Sequence, residues 1–135
     1  ITERLVGSEM CIRDSNYAKK PEIRKFVFDQ LRKSSESNSL VVDGRDIGTV
    51  VFPNADFKFF LVGKPKIRAE RRHKQINDDS VKVDIIEEEI KQRDKTDSTR
   101  EIAPLKKAID AFKIDVSNLT INEVFNKILQ KIKSD

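Results

Sequence analysis

Apolar residues recur along this chain in two ways, at a spacing of about 3.6 positions and in short continuous runs, and their alternation predicts helices and strands in turn. Ile23, Phe26, Val27 and Leu31 make the first helical face. Pro21 opens that helix at a position where the missing N–H costs nothing. A polar run over 33–39, with four serines and an asparagine, should end it in a loop. Residues 40–43 then read Leu-Val-Val-Asp, a buried strand running into the Gly44 turn. Positions 50–54 suggest a short turn and a break. The run 57–62, in which only Lys58 is polar, predicts a second strand buried on both faces.

Pro65 starts a helix to about residue 75, and Ser80 is a plausible N-cap for the next one. Val81, Ile85, Ile86 and Ile90 form that helix's stripe, which continues into the polar segment 93–100. Pro104 predicts a short helix to about 111, and 112–116 a third strand ending at Asp115. Thr120 and Glu123 have the spacing of a capping box. They introduce a last helix with Val124, Phe125, Ile128 and Ile132 on one face. Strands separated by helices predict an α/β fold with a parallel sheet. Residues 1–14 carry no clear period.

At 135 residues the chain is expected to form one domain. No apolar run approaches the ~20 residues of a membrane span. The single cysteine, Cys11, has no partner within the chain and suits a reducing, cytoplasmic setting. One histidine, His73, and one cysteine leave no credible His/Cys metal site; His73 reads as a surface residue. A net charge of +4 suits an anionic ligand and falls far short of a basic coat for nucleic acid.

Three stretches could carry chemistry. In α/β folds ligands sit beyond the carboxyl ends of strands, so Asp43, Arg45 and Asp46 would be delivered to the mouth of a site. Arg45 offers a planar fork suited to phosphate, and Asp43 is placed to hold a hydrated Mg²⁺. The bland reading is an Asp–Arg pair tying off a turn. Arg68, Arg71 and Arg72 lie at i, i+3 and i+4, on one side of a helix with little apolar surface to bury. Such a helix is either solvated, the commoner outcome, or meets an anion. Arg93, Asp97 and Arg100 would fall within about 60° of one another on a continuing helix. Two arginines around one acid suit a ribose phosphate, although an i, i+4 pair is usually surface decoration. Ser15 and Arg24 are unremarkable by themselves.

Taken together, the text from Ser15 onwards resembles the bacterial cytidylate kinases, P-loop enzymes that phosphorylate CMP and dCMP with ATP. The most specific block is Asp43-Gly44-Arg45-Asp46-Ile47-Gly48-Thr49-Val50-Val51-Phe52-Pro53. It is supported by Ser15-x-x-Ala18-x-x-Pro21-x-Ile23-Arg24, by Arg68-Ala69-Glu70-Arg71-Arg72, and by Arg93-Asp94-x-x-Asp97-x-x-Arg100 with Ala103-Pro104-Leu105. The resemblance implies a three-layer nucleoside monophosphate kinase fold with a parallel sheet. It implies that Ser15, Arg24 and Asp46 read the cytosine edge, that Arg45 and Arg100 clamp the CMP phosphate, and that Arg93 and Asp97 hold the sugar. Arg71 and Arg72 would belong to a lid over ATP at about 72–84. Asp43 would stand near Mg²⁺, acting through water. The implied partners are ATP, CMP and dCMP, with no membrane or nucleic acid and a monomeric state.

One departure matters. The family carries a G-x-x-x-x-G-K-[ST] loop near its N-terminus, and none of the four glycines here begins that pattern. The expectation is an incomplete fold, lacking the first strand, the phosphate loop with its lysine and much of the CMP-binding region, with residues 1–14 an unrelated leader and 15–135 the C-terminal part of a kinase domain. A single missing transition-state charge costs roughly 10³–10⁵ in rate in such enzymes, so the chain alone is expected to be inactive. The alternatives are a kinase for another base, UMP or AMP, and a non-catalytic anion- or RNA-binding module built on the helix at 68–74.

Overall fold

The computed structural model describes residues 20–78 and 80–134. The chain divides into two compact units, residues 1–43 and 44–135.

In the first unit, helix α1 spans Pro21–Ser35. Glu22 lies in its first turn and Arg32 and Lys33 in its last, each sign matched to the helix dipole. The serine run ends it by competing for backbone acceptors: the Ser34 hydroxyl donates to the Gln30 carbonyl, and Asn38 Nδ2 donates to the Ser34 carbonyl. No residue of α1 is buried, and Phe26, on its predicted apolar face, is 65% exposed. The predicted strand at 40–43 does not form, and Val41 is fully exposed. An apolar run becomes a strand only when a neighbour takes up its backbone N–H and C=O groups, and none among the described residues does so.

The second unit opens with a wide, π-helical turn over Ile47–Val51. The amides of Thr49, Val50 and Val51 all donate to the Asp46 carbonyl, at 3.3, 2.8 and 3.3 Å. Val51 anchors this turn at 1% exposure. Strands β1 (Phe59–Val62) and β2 (Phe112–Asp115) then pair in parallel, with Phe59 opposite Phe112 and Val62 opposite Asp115. The two opposed phenylalanine rings meet edge to face. The α/β expectation therefore holds, with a two-stranded sheet among the described residues. Burial of both faces of β1 does not hold, because Leu61 points to a side that nothing fully covers and is half exposed.

Helix α2 (Pro65–Ile76) ends at Asn77, which takes a left-handed φ of 51° and hands the chain to α3 (Val83–Thr99). The two helices share a small core of Ala69, Ile86 and Ile90, flanked by Ile76, Val81 and Val83. Ala69 is wholly buried, and its small side chain lets the helices approach closely. Ser80 does not cap α3 as expected. Its amide and hydroxyl both turn back to the Asp78 carboxylate, at 2.9 and 2.6 Å, and Lys82 occupies the cap position. These bonds hold the Asp78 carboxyl below its ordinary pKa.

The predicted helix over 104–111 is likewise absent. Its carbonyls are satisfied by a side chain instead, with Lys107 Nζ reaching those of Ala108 and Ala111. Its apolar positions share no common buried face: Leu105 is partly buried while Ile109 is fully exposed. The capping box does form. The amide of Thr120 donates to Glu123 Oε2 at 2.7 Å and the amide of Glu123 donates to Thr120 Oγ1, starting α4 (Ile121–Ser134).

Candidate functional site

The turn after Gly44 and the end of α3 meet in the second unit, and the polar groups that meet there are charged. Arg45 Nε donates to Asp97 Oδ2 at 2.7 Å, across 52 positions of sequence. Arg100 lies one turn beyond Asp97, with Nη1 3.8 Å from Asp97 Oδ1 and Nη2 3.8 Å from Asp46 Oδ1. At that separation the charges attract but no hydrogen bond forms. Two cations and two acids thus share one cluster, with Asp46 buried and Asp97 nearly so.

Local structure explains how each side chain arrives. Asp46 sits where the π-helical turn begins, and three amides converge on its carbonyl, which fixes its backbone. Arg100 follows the last turn of α3, its Nε donating to the Ala103 carbonyl at 2.6 Å. Ala103 takes a φ of 50° to present that carbonyl. The Leu105 amide then donates to the Asp97 carbonyl at 2.7 Å and closes the loop over the helix end. Within this cradle, Arg100 Nη2 is buried and has no hydrogen-bond partner. A buried guanidinium donor left open costs free energy unless something accepts from it.

Other expected residues are placed differently. Arg93 lies one turn before Asp97 on α3, half buried and with no hydrogen bond or ion pair among the described residues. Arg71 and Arg72 are carried by α2. Arg71 Nη2 donates to the carbonyls of Val116, Ser117 and Leu119, so it holds the loop after β2. Arg72 makes no such bond among the described residues. Arg24 and Asp43 belong to the first unit; Arg24 stacks over the Phe28 ring at 4.9 Å, and Asp43 is exposed. Ser15 and the stretch 1–14 lie outside the described residues. A separate, mostly apolar groove of about 820 Å³, lined by Leu61, Arg71, Val116, Leu119, Val124 and Ile128, lies between the sheet and α4 and away from the acid–arginine cluster.

Sequence reasoning missed two polar contacts. Arg68 grips Asp94 with both terminal nitrogens, at 2.5 and 3.1 Å, and ties α2 to α3. Lys58 is almost wholly buried and paired with Asp110 at 2.5 Å. Its signal was its position as the one polar residue in an apolar run. The Arg68–Asp94 pair gave none, because a contact across 26 positions leaves no periodic trace.

The sequence profile of the cytidylate kinases matches residues 1–134, all but the last position. The chain belongs to the cytidylate kinase family. It is similar to the cytidylate kinase of Fervidobacterium nodosum, with 46% identity over 121 residues, which are 88% of this chain and 55% of that protein. With that of Thermosipho melanesiensis it shares 46% over 127 residues, 93% of this chain and 58% of that one. With that of Clostridioides difficile it shares 43% over 134 residues, 98% of this chain and 62% of that one. The chain therefore spans somewhat over half the length of these curated relatives. No described helix is long and apolar enough to cross a membrane.

Proposed function

We propose that these 135 residues carry the monophosphate-binding half of a (d)CMP kinase, with the acid–arginine cluster as the seat of CMP or dCMP. The observation that supports this most is the buried Nη2 of Arg100, close to the Asp46 carboxylate but without a hydrogen bond, in a cluster with Arg45 and two acids. An incoming phosphate would satisfy that donor and could draw the Arg45 fork from Asp97, freeing Asp97 to accept from sugar hydroxyls. Asp46 would read the base and Arg93 would hold the sugar; the family resemblance alone gives Arg24 and Ser15 a part in reading the base. Phosphoryl transfer asks a protein mainly for positioning and charge stabilisation, and a guanidinium-rich seat provides both.

ATP is the proposed phosphoryl donor, with Arg72 in a lid at about 72–84 that closes over it; Arg71 would join it by leaving its carbonyl partners after β2. Among the described residues no group of three acids, histidines or cysteines could cage a metal. A lone exposed carboxylate such as Asp43 suits Mg²⁺, which keeps several waters and travels on substrate phosphates. When bound, the ion would neutralise charge on the phosphates. The three-layer sheet of the family and a phosphate loop would complete the machinery, and the sequence here has no match to that loop. The 135 residues by themselves should therefore bind CMP without turning it over.

Calorimetric titration with CMP, dCMP, UMP and AMP, with ADP formation followed in parallel, tests this reading. Saturable binding favouring CMP and dCMP, with ADP formation at the no-enzyme background, is expected. Equal or absent binding of all four nucleotides would overturn the assignment of the seat. ADP formation above background would overturn the division of labour.

A further inference from the structure

A lysine buried away from the arginine cluster has a place in the architecture that the proposed chemistry does not use. The Lys58 side chain is 6% exposed, although it stands just ahead of β1. Its ammonium donates to the Pro53 carbonyl and to Asp110 Oδ2. Its stem passes under the π-helical turn, so that a Cβ built on Gly48 would lie 3.4 Å from Lys58 Cδ. Its own carbonyl accepts from the Phe112 amide at 2.8 Å and starts the pairing of the two strands. One residue thus joins the Gly48 turn, the break at Pro53 and the turn before β2 through its side chain, and the head of β1 to β2 through its carbonyl.

Burying an ammonium is costly unless its donors are matched and its charge is paired, and a simple spacer at this place would be apolar. The turn resting on Lys58 is the one whose amides converge on the Asp46 carbonyl, two positions before Gly48. Arg45 and Asp46 have no regular helix or strand of their own to hold them. Their aim depends on that turn, and the turn depends on what lies beneath it. We infer that Lys58 is a positioning residue for the nucleotide seat, acting through the turn at Ile47–Val51 to fix where Arg45 and Asp46 point. The inference rests on the proposed function only in naming CMP as the ligand whose affinity reports that aim.

The hydrogen bond from Lys58 is also the first cause of the lowered Asp110 pKa, which favours the charged carboxylate.

The test uses the 135-residue chain with Lys58→Met, which keeps the stem and removes the ammonium, and with Lys58→Arg and Asp110→Asn. CMP affinity is measured by calorimetry, and backbone amide shifts by two-dimensional NMR. Lys58→Met should weaken CMP at least tenfold, with amide shifts changing at 45–51 while those of the α2–α3 core stay in place. Lys58→Arg should recover affinity to within about threefold, a rescue that loss of packing alone does not predict. If Lys58→Met fails to fold, Asp110→Asn takes its place, with a smaller loss and shifts confined to the same turn. Unchanged affinity and unchanged 45–51 amides in the folded variants would overturn the inference, as would shifts spread evenly over the second unit. If the unaltered chain binds no CMP, the functional reading fails, and the amide shifts alone decide the role of Lys58.

Discussion

Replacing Asp97 by alanine removes the acid that both arginines of the cluster face. The bond from Arg45 Nε, at 2.7 Å, is charge-assisted. Such bonds contribute about 1.5–3 kcal/mol net. Arg45 is 39% exposed, which favours the lower end of that range. Arg100 Nη1, at 3.8 Å from the other carboxylate oxygen, adds attraction of roughly 1 kcal/mol where solvent reaches the pair. Allowing for overlap between the two effects, Asp97→Ala should cost about 2 kcal/mol. With a urea slope of about 1.5 kcal/mol/M, the unfolding midpoint falls by roughly 1–1.5 M. Asp97→Asn keeps an acceptor for Arg45 and should lose about half as much. The assay is urea unfolding followed by circular dichroism, with Arg45→Ala and the double variant completing a mutant cycle. If Asp97→Ala shifts the midpoint by less than about 0.3 M and the cycle shows no coupling, the two guanidinium groups do not share this acid, and the cluster as described is wrong.

Ile86→Ala empties the centre of the α2–α3 core, where Ile86 is 2% exposed. It should cost about 2–5 kcal/mol, and a cost under 1 kcal/mol would mean that the helices do not pack as described. Asp94→Ala releases the two-pronged grip on Arg68, about a third exposed at both ends, and should cost about 1 kcal/mol in the same assay. Bonds from the Thr120 amide and hydroxyl hold the Glu123 pKa below its usual 4.5. A carboxyl depressed by folding stabilises fully above its unfolded pKa and loses that contribution as pH falls through the folded one. Circular dichroism should therefore show α4 fraying as pH drops below about 4.5, and Glu123→Gln should flatten that slope; an identical pH profile in the two proteins would refute the cap's role.

Helices were the most legible part of the sequence, because their signals are local. Pro21 and Pro65 opened α1 and α2 where expected, and Thr120 with Glu123 capped α4. Misreadings arose where the outcome depended on distant partners. Residues 40–43 have a strand's composition, yet no neighbouring ladder takes them in among the described residues. Ser80 has a capping residue's chemistry, but Asp78 two positions earlier captures it. Pro104 suggested a helix, and the loop instead folds back to present carbonyls to Arg100 and Lys107. In the site, the i, i+3 neighbours Asp97 and Arg100 could be brought together on paper by helical spacing. That Arg45 and Asp46 would join them across some fifty positions followed only from the family resemblance. Arg71 was legible as a basic-face residue, whereas its three carbonyl partners lie 45 to 48 positions away and left no mark in the local pattern.

The most direct measurement is an NMR titration of the chain with CMP, following the side-chain Nε–Hε signals of Arg45, Arg93 and Arg100. All three should shift along one saturation curve with a single dissociation constant, and Arg45 should report its release from Asp97. Signals that move with separate constants, or do not move at millimolar CMP, would mean that these arginines serve no common pyrimidine nucleotide site.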